Sequence, residues 1–173
     1  GGTPLCTGVV DKVFAVKGRG PEKPLPLIAS SREAALSAVS EWPVLANVLA
    51  ETFWPGPLSL LLPVSSSIPS ELHRGTGKVA IRISSHPVAT LLAFSAGGIL
   101  ISTSANRSGE PPAFRPDEIS REILERVDGF LDAGILSGGL PSTIVDVALS
   151  RPRLVRAGAL EWDLIARAAS GAR

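Results

Sequence analysis

The sequence predicts an α/β fold built on a mixed sheet. Short apolar runs bounded by Gly and Pro are interleaved with helix-period segments along the chain. Val79 to Ile83 alternates apolar and polar residues, as a strand with two different faces does. The chain has 173 residues, 45% hydrophobic and 19% charged, enough apolar material for a core of one domain's size.

The elements follow in order. Asp11 to Val16 reads as the last turns of a helix, with Val10, Val13 and Phe14 on one face, stopped by Gly18, Gly20 and Pro21. Leu25 to Ala29 is a short apolar strand. Ser30 or Ser31 caps a helix over Arg32 to Val39, and a second helix covers Val44 to Phe53. Trp54-Pro55-Gly56-Pro57 is a loop that leads into a strand over Leu58 to Pro63. After the Val79 to Ile83 strand, Pro87 to Phe94 is a helix with proline in its first turn. Ile99 to Ser102 is a strand, Arg115 to Val127 a helix, and Gly129 to Asp132, Thr143 to Val147 and Leu154 to Arg156 are further strands. Trp162 to Ala169 closes the chain as a helix. No internal repeat or long linker divides it.

Composition excludes several classes. Lys plus Arg is 17 and Asp plus Glu is 16, a net charge of +1, which argues against a nucleic-acid-coating surface and against disorder. The single cysteine, Cys6, forms no intramolecular disulfide, which fits a reducing, cytoplasmic setting. Two long uncharged stretches, Thr52 to Ser70 and Pro87 to Asn106, are broken by four prolines and by Gly97-Gly98 respectively, so neither reads as a membrane span. The chain contains no methionine, so it is expected not to be a complete gene product.

Four segments can carry chemistry. Lys17-Gly18-Arg19-Gly20-Pro21-Glu22-Lys23 puts three cations among glycines, which suits close approach to a phosphate; the alternative is a solvated basic turn. Ser102-Thr103-Ser104-Ala105-Asn106 places hydroxyls and an amide directly after an apolar strand, where ligands bind in α/β proteins; the alternative is a capped turn. Ser142-Thr143 enters a strand after the Gly138-Gly139 loop, which taken alone reads as plain loop-to-strand chemistry. Arg82 and Arg156 lie in or at the end of apolar strands, where a guanidinium can grip a carboxylate or face solvent. His73 and His86 lack metal-ligand spacing, Cys6 has no base nearby in sequence, and Glu118, Glu122 and Glu125 read as a solvated helix face. With no nucleophile in view, any catalysis rests on positioning and electrostatics, which suits phosphate chemistry.

Taken in order, Lys17-Gly18-Arg19, Lys23-Pro24-Leu25, Phe53-Trp54-Pro55-Gly56-Pro57-Leu58, Val79-Ala80-Ile81-Arg82, Ser102-Thr103-Ser104-Ala105-Asn106, Ser108-Gly109-Glu110-Pro111-Pro112, Ser142-Thr143-Ile144-Val145-Asp146 and Val155-Arg156-Ala157-Gly158 resemble the YrdC-like family. Its best-known members are threonylcarbamoyl-AMP synthases. The resemblance implies a twisted mixed sheet with flanking helices around a large basic cavity. It also implies a nucleotidyltransferase reaction, in which L-threonine, bicarbonate and ATP yield threonylcarbamoyl-AMP and pyrophosphate, for tRNA modification next to the anticodon by partner proteins. By the same resemblance Lys17 and Arg19 would hold the triphosphate, Ser104 and Asn106 would contact nucleotide phosphates, and Arg156 would lie beside the nucleotide. Arg82 would grip the threonine carboxylate, Ser142 would line the same pocket, and Lys23 would shape its entrance. Magnesium would accompany ATP, and no protein metal site is expected.

The family usually opens with an apolar strand and a Pro-Thr-Glu-Thr-Val-Tyr-Gly-Leu-like stretch, and Gly1 to Gly8 does not reproduce it. The expectation is therefore one YrdC-like domain over residues 1–173 without that strand and loop. Alanine at 157 replaces a common proline. Two other readings stand beside the synthase: a domain that forms carbamoyl-adenylate, and a non-catalytic relative that binds nucleotide or, weakly, double-stranded RNA.

Overall fold

The computed structural model describes residues 1–20, 23–136 and 138–171. The elements are α1 (Val9–Lys17), β1 (Leu27–Ala29), α2 (Arg32–Ser37), α3 (Val44–Phe53), β2 (Leu58–Pro63), α4 (Ser70–His73), β3 (Lys78–Ile83), α5 (Pro87–Ser95), β4 (Ile99–Ile101), α6 (Arg121–Leu124), β5 (Thr143–Asp146), β6 (Arg153–Arg156) and α7 (Trp162–Ser170). The strands form one mixed sheet in the order β4-β1-β3-β2-β5-β6. The pairs β1–β3 and β2–β5 are parallel; β1–β4, β2–β3 and β5–β6 are antiparallel.

Register divides the sheet into two unlike faces, because cross-strand partners share a face and successive residues alternate. One row runs Ile101, Leu27, Ile81, Leu60 and Val145, and each of these side chains is fully buried. They join one core with Ala35 and Ala38 near α2, Leu45, Ala46 and Leu49 of α3, and Ile165 of α7. Burying such side chains stabilises by roughly 1.5–3 kcal/mol each. The adjacent row, on the opposite face, is quite different. It runs Leu100, Ile28, Arg82, then Ile144 and Arg156, and one further step of the β2–β3 ladder sets Ser59 across from Arg82.

Most expected elements form within a residue or two of their predicted ends. β1 starts at Leu27 rather than Leu25, since Pro26 has no N–H for the ladder. Leu25 is instead buried, with its N–H donating to the Leu72 carbonyl at 3.1 Å. Two expectations are corrected. The helix over Arg115 to Val127 is a 3-10 turn at Pro116–Glu118 and a separate α6. Local caps divide it: Glu118 Oε2 accepts the Phe114 and Arg115 N–H groups, and the Ser120 side chain accepts from the Ile123 N–H. Gly129 to Asp132 is irregular and exposed, and among the described residues it pairs with no strand. The short α4 was not anticipated. Among the described residues no helix is long and apolar enough to cross a membrane.

The edge strand β6 is partly exposed, with Leu154 at 40% and Val155 at 47%, and among the described strands it pairs with β5 alone. Its anchor is Asp146, 1% exposed, whose Oδ2 accepts from Lys78 Nζ at 2.8 Å and Arg153 Nη2 at 3.1 Å, and whose Oδ1 accepts the Ala148 N–H at 3.1 Å. Burial pushes this carboxyl up, but the hydrogen bonds from Lys78, Ala148 and Arg153 outweigh burial and hold it below its ordinary 3.8. A depressed carboxyl contributes stability above its unfolded value, and that contribution is lost as pH falls through the folded value. Lys78 and Arg153 are partly solvated, so Asp146→Ala should lower the unfolding free energy by about 2 kcal/mol at neutral pH. In urea titrations the gap between parent and variant should close in acid, once the parent carboxyl is protonated.

Candidate anion site

The first group of candidate residues meets at the end of α1. Lys17 is 6% exposed, so the turn is not simply a solvated one. Its ammonium donates to the Ser104 carbonyl at 2.6 Å, to the Asn106 carbonyl, and to Asn106 Oδ1 at 3.0 Å. An ammonium has three donors, and all are committed to this loop. The Ser108 N–H returns a bond to the Lys17 carbonyl at 2.8 Å. Gly18 adopts φ 54°, and a side chain there would meet the Arg107 guanidinium at 3.0 Å. Arg107 in turn pairs with Glu122 of α6, which also receives Arg126 at 3.3 Å. Glu122 is thus a brace for the 103–110 loop, not the plain solvated face predicted. Lys17, Ser104 and Asn106 border a cavity of about 640 Å³ that continues along α1 and the 113–136 segment.

The second group lies on the open face of the sheet. Arg82 is half-buried, and its Nη1 donates to the Gly56 carbonyl at 3.4 Å. Arg156 donates through Nε and Nη2 to the Ser142 carbonyl at 3.2 and 2.6 Å, and through Nη2 to Ser142 Oγ at 3.1 Å. Ser142 Oγ also lies 2.9 Å from Ser59 Oγ, which is buried on β2. None of Arg82, Ser142 and Arg156 borders the 640 Å³ cavity.

Arg19 stands between the two groups. It shapes its own loop, Nε donating to the Lys23 carbonyl at 3.0 Å and Nη2 to the Pro24 carbonyl at 2.9 Å. Lys23 itself is exposed, and its visible part in the site is that carbonyl. Electrostatic coupling traces the line of cations. Burial and then Arg19 push Lys17 down to about 8, against the pull of Glu110. Burial and then Arg19 lower Arg156, and burial and then Arg156 lower Arg82. Lys17, Arg19, Arg156 and Arg82 therefore form a chain of cations in which each feels the next.

A β-bulge aims Arg156. Asp146 pairs with Arg153 and Val145 with Leu154, but Ile144 pairs with Arg156. Val155 is the extra residue. Without it Val155 would stand opposite Ile144, and Arg156 would turn toward the other face. The chain then folds back so closely that a side chain on Gly158 would meet the Pro141 carbonyl at 2.2 Å and the Thr143 nitrogen at 2.6 Å. Thr143 Oγ1 closes this clamp, donating to the Leu160 carbonyl at 2.7 Å and accepting its N–H at 3.0 Å.

Sequence reasoning missed Ser59, because one hydroxyl inside Leu58-Ser59-Leu60-Leu61-Leu62 looks like strand filler. Its parity with Arg82 across the ladder was the signal. It also missed Asp146 as an anchor, and the bulge, which only pairing reveals.

The fold and this cationic line define a mixed α/β domain that gathers positive charge between the end of α1 and one sheet face. The sequence model of the Sua5/YciO/YrdC family, described as "Telomere recombination", matches residues 2–158, and the chain belongs to that family. A threonylcarbamoyl-AMP synthase of Pyrococcus abyssi is 32% identical over 165 residues, 95% of this chain and 48% of that protein. A threonylcarbamoyl-AMP synthase of Methylococcus capsulatus is 36% identical over 151 residues, 87% of this chain and 81% of that protein. The crystal structure of P. abyssi Sua5 complexed with L-threonine matches with a TM-score of 0.90 at 31% identity, covering 96% of this chain and 49% of that one. This chain thus spans about half the length of the P. abyssi protein. Full-length HypF shares the fold at 16% identity, with a TM-score of 0.74 over 90% of this chain and 20% of that one.

The Gly158 contacts generate a direct test. Gly158→Ala places a methyl group against backbone atoms that cannot swing away, so it should cost about 2 kcal/mol of stability, as overpacking does. Thermal unfolding of the purified variant measures this; an unchanged midpoint would show that the Pro141–Thr143 segment can yield.

Proposed function

We infer that this chain carries threonylcarbamoyl-AMP synthase activity. The observation that supports it is the line of four cations that runs from the end of α1, Lys17 and Arg19, to Arg156 and Arg82 on the open sheet face, in a chain whose relatives bear that name. The threonine nitrogen takes up carbon from bicarbonate, with loss of water, to give a carbamate. A carbamate oxygen then attacks the α-phosphorus of ATP, and the bond to the β-phosphate oxygen breaks. The products are threonylcarbamoyl-AMP and pyrophosphate. Nothing in this sequence of steps requires a covalent bond to the protein.

Each candidate residue takes a role that its environment supports. Arg19 and Lys17 neutralise the triphosphate; to touch it, Lys17 gives up one of its bonds to Asn106. Ser104, exposed beside Lys17, and Asn106 donate to phosphate oxygens. Arg156 holds the nucleotide side and Arg82 the threonine carboxylate, with Ser142 between them. The Lys23 loop borders the entrance. Magnesium would arrive as the counter-ion of ATP, held by its phosphate oxygens. The product passes to tRNA-modification partner proteins in the cytoplasm. Residues 1–173 act in this reading as one domain.

Pyrophosphate release from ATP and bicarbonate should depend on L-threonine, and carbamoyl phosphate should not replace it. Arg82→Ala should raise the threonine KM at least tenfold, a charge-assisted pair being lost, while the ATP KM moves little. Equal shifts in both constants would reject that assignment. Release independent of threonine would reject the synthase reading.

Lys17 gives a pH test. Free, it is half neutral near pH 8. A bound polyanion favours the ammonium, so binding at this pH takes up protons and ATP affinity falls as pH rises through about 8. Calorimetry in two buffers of different ionisation enthalpy should show the uptake in the parent and its loss in Lys17→Met. Equal proton uptake in both would place the titrating group elsewhere.

A further inference from the structure

Ser59 is a buried hydroxyl with one side-chain partner among the described residues, Ser142. It lies at the centre of the open-face row, across from Arg82 on one side and Ile144 on the other, with Arg156 one strand beyond. Either serine can be the donor of their 2.9 Å bond. The two choices are not equivalent. A hydroxyl offers one donor and two acceptor sites. Ser142 Oγ already accepts from Arg156 Nη2. Were Ser142 to donate to Ser59, the Ser59 proton would have no acceptor inside an apolar strand, and an unmade buried donor is costly. With Ser59 donating, Ser142 Oγ accepts twice and keeps its own proton for a third group. Ser142 is only half-buried, so that proton can reach a ligand.

We propose that Ser59 is a positioning residue: it turns Ser142 into a hydrogen-bond donor aimed at an anionic oxygen held between Arg82 and Arg156. The inference rests on the site assignment above and adds a residue to it. Ser142 has one proton, and if that proton went to Ser59 Oγ the anion would meet only lone pairs. Ser59 and Arg156 remove that choice by occupying both acceptor sites. The oxygen can come from a nucleotide phosphate or from the threonine carboxylate, and the experiment separates these.

Calorimetric titration of the intact chain with ATP alone and with L-threonine alone reads the effect. Ser59→Ala should raise one of the two dissociation constants about tenfold, the loss of one well-directed bond to an ionised group. Whichever ligand weakens supplies the oxygen. Ser59→Thr, which keeps the hydroxyl, should restore most of the affinity. In a Ser142→Ala background Ser59→Ala should add nothing, because the two act as one unit. Ser59→Cys, a weak donor of similar volume, gives the same reading should alanine disturb the strand. Unchanged affinity for both ligands in Ser59→Ala, or losses that multiply in the double variant, would overturn the proposal. Failure of the site assignment looks different: Arg82→Ala and Arg156→Ala would then leave both affinities intact.

Discussion

Four cations, Lys17 and Arg19 at the end of α1 and Arg156 and Arg82 on the open face of the sheet, set the terms for the whole fold. Two unit charges about 10 Å apart repel by roughly 1.7 kcal/mol at an effective dielectric near 20. Burial adds to this, and it lowers Lys17, Arg82 and Arg156 alike. The chain tolerates the arrangement because the neighbouring row of the same strands is so thoroughly apolar. Ile101, Leu27, Ile81, Leu60 and Val145 run across five strands with almost no exposure. One row stabilises the sheet while the next concentrates charge, and the strict alternation of strand side chains keeps them apart.

Backbone carbonyls do much of the work that carboxylates do in ordinary ion pairs. Lys17 takes those of Ser104 and Asn106, Arg82 that of Gly56, and Arg156 that of Ser142. A carbonyl fixes the direction of a cation without cancelling its charge. The field of the group stays available to an incoming anion. Two carboxylates brace the surroundings: Glu122 pairs with Arg107, and Asp146 with Lys78 and Arg153. They hold the loops and the edge strand that carry the site.

Much of this was legible in the sequence, for physical reasons. Runs such as Leu58 to Pro63 and Ile99 to Ile101 are apolar, short and bounded by Gly or Pro, so their strands are specified locally. Lys17 stands out as a cation among glycines after a helix, and Arg82, Ser104 and Arg156 because charge and hydroxyls in or just after apolar strands need an explanation. What stayed hidden depends on pairing. Ser59 acquires meaning only beside Ser142, eighty-three residues away. The bulge at Val155 exists only relative to Ile144. The false helix over Arg115 to Val127 had good helical composition, but Glu118 and Ser120 spend their side chains on local N–H groups and stop it twice.

The bulge also explains how an exposed edge strand can carry a residue that must be aimed. β6 pairs in the sheet with β5 alone among the described strands, and edge strands slip easily when little specifies their register. Here the register is fixed on both sides of the extra residue. Asp146 holds Arg153 before Val155, and Ser142 receives Arg156 after it. A slip by one residue would break both contacts together and turn Arg156 from the row of Arg82. Gly158 completes the fixation, since its bare backbone lets the following chain lie directly against Pro141 to Thr143. The accuracy of the anion site therefore comes from the sheet's poorest-supported strand, held by two side chains and the absence of a third.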